Sequence, residues 1–109
     1  MLDGRIKLRH LQCFLAVAEQ RSIQRAAERL AVTQPAVSKT LRELEELLGV
    51  QLFRRGRRGA LPTADAEAFQ RYASASLSAL QQGIDSVAQA RRRGGVLLRL
   101  GVLPSVAPC

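Results

Sequence analysis

Residues 8–20, LRHLQCFLAVAEQ, place Leu8, Leu11, Leu15 and Ala18 on one stripe with Phe14 beside it, the spacing of an amphipathic helix. A second stripe follows in RSIQRAAERL, where Ile23, Ala26, Ala27 and Leu30 recur at i, i+3, i+4 and i+7 and Ser22 is placed to cap the first turn. The small Ala26-Ala27 pair lets another helix approach closely. Only Ala31, Val32 and Thr33 separate Leu30 from Gln34, and so short a gap forces the sharp turn of a helix-turn-helix.

The third helix is predicted over TQPAVSKTLRELEELLG, residues 33–49. At about 100° per residue, Gln34, Pro35, Ser38, Lys39, Arg42, Glu43, Glu45 and Glu46 share one half of the helical wheel. Ala36, Val37, Thr40, Leu41, Leu44, Leu47 and Leu48 fill the other half without exception. Thr33 is the expected N-cap, Pro35 sits in the first turn where its missing N–H costs nothing, and Gly49 is a natural stop. The two ends differ in kind: uncharged polar groups and a lysine at the head, carboxylates and leucines at the tail. A helix whose head faces a polyanion and whose tail leaves it has this distribution, which predicts end-on insertion. The three glutamates are expected near solvent.

Beyond Gly49 the period changes. VQLF alternates loosely, with Leu52 and Phe53 able to plug a small core, and RRGRRGALPT follows with four arginines in five residues and Gly56 and Gly59 as turn residues. Two short strands joined by this basic loop predict a β-hairpin, or wing, packed through Phe53 and Leu61. Thr63 can cap a fourth helix, with Asp65 and Glu67 in its first turn, running to about Arg91. Ala66, Ala73, Leu80 and Val87 repeat every seven residues, Gln70, Leu77 and Ile84 fill the second register, and Phe69 lies alongside. Ser74, Ser76 and Ser78 weaken this seam without removing it; a second copy of the chain is its simplest partner. Arg91–Gly95 is expected to break the helix, and VLLRLGVLPSVAPC, an apolar run whose only charge is Arg99, to form a strand of something larger. The chain therefore has the look of an N-terminal portion.

Composition sharpens the picture in one respect. The 109 residues carry 17 Lys plus Arg against 9 Asp plus Glu, a formal net charge of +8, and 15 of the 17 cations are arginine. That balance favours an anionic partner, nucleic acid before a membrane surface, and arginine suits bidentate recognition of phosphate or guanine. Apolar residues make up 47% of the chain, enough for a core. Cys13 and Cys109 lack a CxxC or metal-ligand neighbour and read as a buried and a tail thiol, compatible with a reducing cytoplasm. No long apolar run suggests a signal peptide or a membrane span. Catalysis has no constellation to use. The lone histidine, His10, reads as a surface or flanking residue, and no serine has a nucleophile-elbow setting, so the expectation is that the chain is not an enzyme.

From Leu8 to about Arg93 the sequence resembles the N-terminal domain of the LysR-type bacterial transcriptional regulators. The carrying stretch is FLAVAEQRSIQRAAERLAVTQPAVSKTLRELEELLGVQLFRR, with A-A-E-R-L, T-Q-P-A-V-S, L-E-x-x-L-G and L-F-x-R in the family's order and spacing. Its opening, DGRIKLRHLQCFLAVAEQ, looks most like regulators of the protocatechuate-catabolic operon, and GVLLRLGVLP resembles the first strand of the family's effector-binding domain. The family's Thr-x-Ala-Gly at the start of the linker helix is Thr63-Ala64-Asp65-Ala66 here. The resemblance implies a mainly α fold: a winged helix-turn-helix of three helices and a β-hairpin over residues 6–63, with the helix-turn-helix at about 23–42. A dimerisation linker helix would occupy 64–92, and a hinge and first strand of a truncated effector domain 93–109.

It implies that the positions Thr33, Gln34, Pro35, Ser38 and Lys39 read DNA. Gln34 can pair bidentately with adenine, Lys39 can reach guanine, Pro35 and Ala36 suit a thymine methyl, and Ser38 serves base or phosphate. Free N–H groups of the first turn would add an anion site, and Arg42 a phosphate contact. Arg54, Arg55, Arg57 and Arg58 would lie by the minor groove or its phosphates. Phe69, Ala73, Leu77, Leu80, Ile84 and Val87 would make the homodimer seam, with the operator an imperfect inverted repeat. The full-length protein could assemble further to a tetramer and engage RNA polymerase. No cofactor is expected in this chain; a small-molecule inducer would bind the missing domain. A cytoplasmic, nucleoid-associated location follows. Two other readings stay open at this point: a sequence-blind architectural DNA binder, and a protein-interaction module using the seam alone.

Overall fold

The computed structural model describes residues 3–57 and 59–101, with 94–101 by backbone alone. Three helices, α1 (Leu8–Gln20), α2 (Ile23–Leu30) and α3 (Gln34–Leu48), are followed by strands β1 (Phe53–Gly56) and β2 (Gly59–Pro62) and helix α4 (Ala64–Gly101). The strands form one antiparallel hairpin in which Phe53 faces Pro62 and Gly56 faces Gly59. Packing divides the chain into a first unit ending at Ala75 and a second beginning at Ser76.

Local chemistry accounts for the helix boundaries. Ser22 Oγ accepts from Arg25 N at 3.1 Å, Thr33 Oγ1 from Ala36 N at 3.2 Å, and Thr63 Oγ1 from Ala66 N at 3.2 Å. Each hydroxyl satisfies a first-turn N–H that has no partner inside its helix, a contribution of about 1 kcal/mol per cap. α1 and α2 end at Arg21 (φ 53°) and Ala31 (φ 59°), non-glycine residues in the left-handed region. α3 ends at Gly49 (φ 75°), which adopts that conformation without a Cβ penalty.

In the first unit α1, α2 and α3 pack pairwise, and β2 lies against α1. Phe14, Val17, Val37, Leu41, Leu44 and Leu52 are its largest fully buried side chains. Ala26 and Ala27 are buried too, and their small side chains admit the neighbouring helices. Phe14 is the centre of the aromatic packing. Its ring centroid lies 5.6 Å from that of Phe53 on β1 and 5.2 Å, edge-on, from that of Phe69 on α4. The core thus includes the first turns of α4: Ala66 and Ala73 are buried. The unit therefore ends inside α4, three turns beyond the boundary expected at residue 63. Ala66 stands where the family has glycine, and the helix start is intact.

The wing is seated by one backbone contact. Arg21 O accepts from Ala60 N at 3.1 Å. Gly59 next to it has φ 91°, and a Cβ there would lie 2.4 Å from the same carbonyl oxygen. Gly59→Ala is therefore expected to destabilise the domain by about 2 kcal/mol or more, combining the left-handed penalty with the clash. Thermal unfolding monitored by circular dichroism checks this; an unchanged melting temperature would show that the Arg21 carbonyl does not press on the wing.

Four expectations need correction. Leu61 does not pack the hairpin; it is 39% exposed, opposite Arg54, while the adjacent Ala60 faces inward. Alternation allows only one of two neighbouring residues inside, and the Arg21 contact selects Ala60. His10 is not a surface residue but 2% exposed. Its Nδ1 accepts from Lys7 N at 2.8 Å, closing the first turn of α1, and Nε2 faces Glu43 Oε1 at 3.1 Å. Arg91–Gly95 does not break α4, and 96–101 continue as helix rather than strand. A strand needs a neighbour for its N–H and C=O groups, whereas a helix pairs them internally. Gly94 and Gly95 cost about 1 kcal/mol each in helix propensity, and leucine is a strong helix former. Residues 102–109 of the expected strand lie outside the described residues.

Candidate nucleic-acid interface

α3 presents the expected face. Gln34, Pro35, Lys39 and Arg42 are exposed and Ser38 is half-buried, while Val37, Leu41 and Leu44 on the opposite half are buried. Ala36, on the apolar half, is nevertheless exposed because it lies in the first turn, ahead of the core. Thr33 is committed as the cap: its hydroxyl oxygen holds Ala36 N and its carbonyl holds Val37 N at 3.2 Å.

The backbone anion site expected at this helix head is largely used up by that cap. Pro35 has no N–H, and the Ala36 and Val37 donors are taken by Thr33. Among the described residues only the Gln34 N–H remains of the first-turn donors. The head therefore offers side chains more than backbone donors, and its nearby cations are Lys39 and Arg42.

Two of the three carboxylates of α3 are engaged elsewhere. Glu43 meets His10 Nε2 at 3.1 Å and Arg9 at 3.9 Å. Glu45 accepts from Leu52 N at 2.8 Å and from Phe53 N at 3.4 Å. Of the three glutamates expected near solvent, only Glu46 is fully exposed. Among the described residues, Lys39, Arg42, Arg54, Arg55 and Arg57 have no carboxylate within ion-pair distance; the ion pairs are Arg5–Asp3, Arg9–Glu43, His10–Glu43 and Arg29–Glu19. A free arginine keeps its full bidentate capacity for phosphate.

The wing carries Arg54, Arg55 and Arg57, all exposed; Arg58 lies outside the described residues. The residues of the expected α4 seam divide. Ala73 is 2% exposed, taken up by the chain's own core, while Phe69 rests on Phe14 and stays half-buried. The seven-residue pattern could not reveal this, because a core contact and a partner contact ask for the same apolar spacing. In the second unit Leu77 is half-buried, and Leu80, Ile84 and Val87 are 49%, 53% and 67% exposed. Cys13 is buried, and burial pushes its thiol pKa up against the opposing effects of a Thr40 hydrogen bond and Arg9. Among the described residues no His/Cys/Asp/Glu group could hold a metal, and no helix is long and apolar enough to cross a membrane.

Known proteins share this arrangement. The family model for bacterial regulatory helix-turn-helix proteins of the lysR family matches residues 8–67. The HTH-type transcriptional regulator PcaQ of Agrobacterium fabrum is 52% identical over 107 residues, 98% of this chain and 34% of PcaQ. This chain thus spans about a third of the length of such relatives. The DNA-binding domain of BenM, solved in complex with benA site 1 DNA, superposes with a TM-score of 0.73 at 38% identity, covering 77% of this chain and 94% of that one. The DNA-binding domain of CbnR, also solved with DNA, gives 0.70 at 40% identity, covering 79% and 100%. With its helix-turn-helix, basic wing and long fourth helix, the chain belongs to the lysR family of bacterial regulatory proteins and carries that family's DNA-binding domain.

Proposed function

We propose that the chain binds an imperfect inverted-repeat promoter site as a dimer, each protomer inserting the head of α3 end-on into the major groove. The observation that carries this is the separation of charge on α3: a polar, cationic, unpaired head, and a tail whose Glu43 and Glu45 are engaged by the protein itself. Gln34 and Lys39 read base edges, Pro35 and Ala36 offer apolar surface to a thymine methyl, and Ser38 serves base or phosphate. Thr33 keeps its O–H as a donor for phosphate while its oxygen caps the helix. Arg42 and the wing arginines, Arg58 among them, hold phosphates.

The exposed Leu80, Ile84 and Val87, with Leu77, pair with the same residues of a second copy. The DNA-bound domains of BenM and CbnR support the DNA partner. In the full-length protein an inducer would act through a C-terminal domain, with RNA polymerase and tetramer formation as later steps in the cytoplasm.

Footprinting on the DNA upstream of the chain's own gene, followed by competition with random DNA at fixed salt, tests the reading. Specific binding should exceed non-specific binding by more than ~10³-fold. Five arginine–phosphate contacts per protomer predict a salt slope of about −4.5 for each half-site. Ile84→Asp should leave protection of a half-site only. A smaller specificity ratio would favour the architectural reading, and full two-site protection by Ile84→Asp would remove the seam from the dimer.

A further inference from the structure

The carboxylate of Glu45 is the least expected polar group in the first unit. It belongs to the polar half of the wheel with Gln34, eleven residues later, so it shares the azimuth of the reading face about 16 Å further along the axis. It is half-buried. It accepts from Leu52 N at 2.8 Å and Phe53 N at 3.4 Å, the two residues from which the wing departs. The same peptide is held from its other side. Leu52 O accepts from Thr63 N at 2.9 Å and from Thr63 Oγ1 at 3.2 Å, and Thr63 Oγ1 also lies 2.7 Å from Gln51 O. That hydroxyl oxygen in turn caps α4 through Ala66 N.

Glu45 and Thr63 therefore join three elements at one point: α3, the wing root and the start of α4. We infer that Glu45 is a positioning residue for DNA binding, setting the angle between the α3 reading face and the wing, with Thr63 holding the same root from the α4 side. The inference rests on the reading of the wing as a phosphate contact. The lever explains why the angle matters. Arg57 lies in the turn just past Gly56, the end of β1, at least about 10 Å of strand from Phe53. A tilt of about 10° at the root would carry it about 2 Å, more than a hydrogen bond to phosphate tolerates. The other ties are the Ala60 N–Arg21 O bond on the second strand, the Phe14–Phe53 packing and the Gln51 Nε2–Phe53 O bond; none of them runs to α3, so Glu45 is the hydrogen-bonding link between the wing root and the reading helix.

The test uses the full chain and a duplex it recovers from a randomised library. Salt slope, preference for that duplex over a scrambled one, and melting temperature are measured for Glu45→Ala, Glu45→Gln and the Arg55→Ala/Arg57→Ala double variant. The double variant should lower the slope by about 1.8, two contacts at about 0.9 each. Glu45→Ala should lower it comparably while keeping its preference for the selected duplex. Adding Glu45→Ala to the double variant should weaken binding by less than about twofold more, since both remove the same contacts. Glu45→Gln, which keeps one acceptor oxygen, should lose part of the slope; it replaces Glu45→Ala if the latter is unfolded at the assay temperature. An unchanged slope in the folded Glu45 variants, or loss of preference together with affinity, overturns the inference. If the arginine double variant leaves the slope unchanged, the wing reading fails and the inference falls with it.

Discussion

Gln34→Ala is expected to relax discrimination at one base-pair position by about 1–3 kcal/mol, roughly 5- to 150-fold, and to leave the salt slope as it was. The side chain is exposed at the head of α3, and none of the helix's caps or core contacts depends on it, so folding should be unaffected. Its carboxamide carries a donor and an acceptor, the combination that an adenine edge presents in the major groove. Lys39→Ala provides the contrast. If Lys39 reads a guanine, discrimination at a second position falls; a phosphate role would lower the slope by about 0.9 with discrimination retained. A library selection on each variant separates these outcomes. A Gln34→Ala chain that selects the wild-type sequence with unchanged stringency would remove the head of α3 from base reading.

Phe14→Ala is expected to have the largest effect on stability. The ring is fully buried, and it joins α1 to the wing through Phe53 and to α4 through Phe69. Truncating a buried phenylalanine costs about 3–5 kcal/mol, the lost transfer energy plus the cavity. Small domains have about 5–15 kcal/mol in total, so the variant would be near the limit of folding. At about 4–8 °C per kcal/mol the melting temperature should fall by about 12 °C or more. Loss of the ring also leaves both the wing and the α4 start without their shared support, so DNA binding should weaken even below the new transition. Calorimetry reads the first effect, and a fall of under about 4 °C, less than 1 kcal/mol, would deny Phe14 its central role.

The helix-turn-helix was legible because its determinants are local. Caps at Ser22, Thr33 and Thr63 act within three residues, and the apolar halves of α1 to α3 follow a 3.6-residue period that any apolar environment would select. The exposed polar face of α3 came from the same wheel, since the surface that avoids the core is left outside. The proposal that this surface reads DNA comes from the resemblance to the lysR family, which a wheel cannot supply.

Other features depended on distant partners. His10 became buried because Lys7 N and Glu43, the latter 33 residues away, meet its two ring nitrogens. Ala60 rather than Leu61 turned inward because Arg21 O holds the wing. Ala73 has the right spacing for a partner helix and went instead to the chain's own core, against which Phe69 is partly packed. The run from Val96 has strand-like composition, yet through Gly101 the backbone pairs with itself as helix.

Periodicity and capping in the chain itself thus set the helices, their ends and the polar head of α3, because those energies are decided within a turn or two. Tertiary structure alone decided where the carboxylates of α3 went. Glu43 and Glu45 read as solvent-facing tail charges, and each met a donor from another element, His10 in one case and the wing root in the other. A carboxylate's sequence neighbours do not reveal which N–H groups the fold will bring to it. Among the described residues, Lys39 and Arg42 on α3 and Arg54, Arg55 and Arg57 on the wing stand outside the ion pairs.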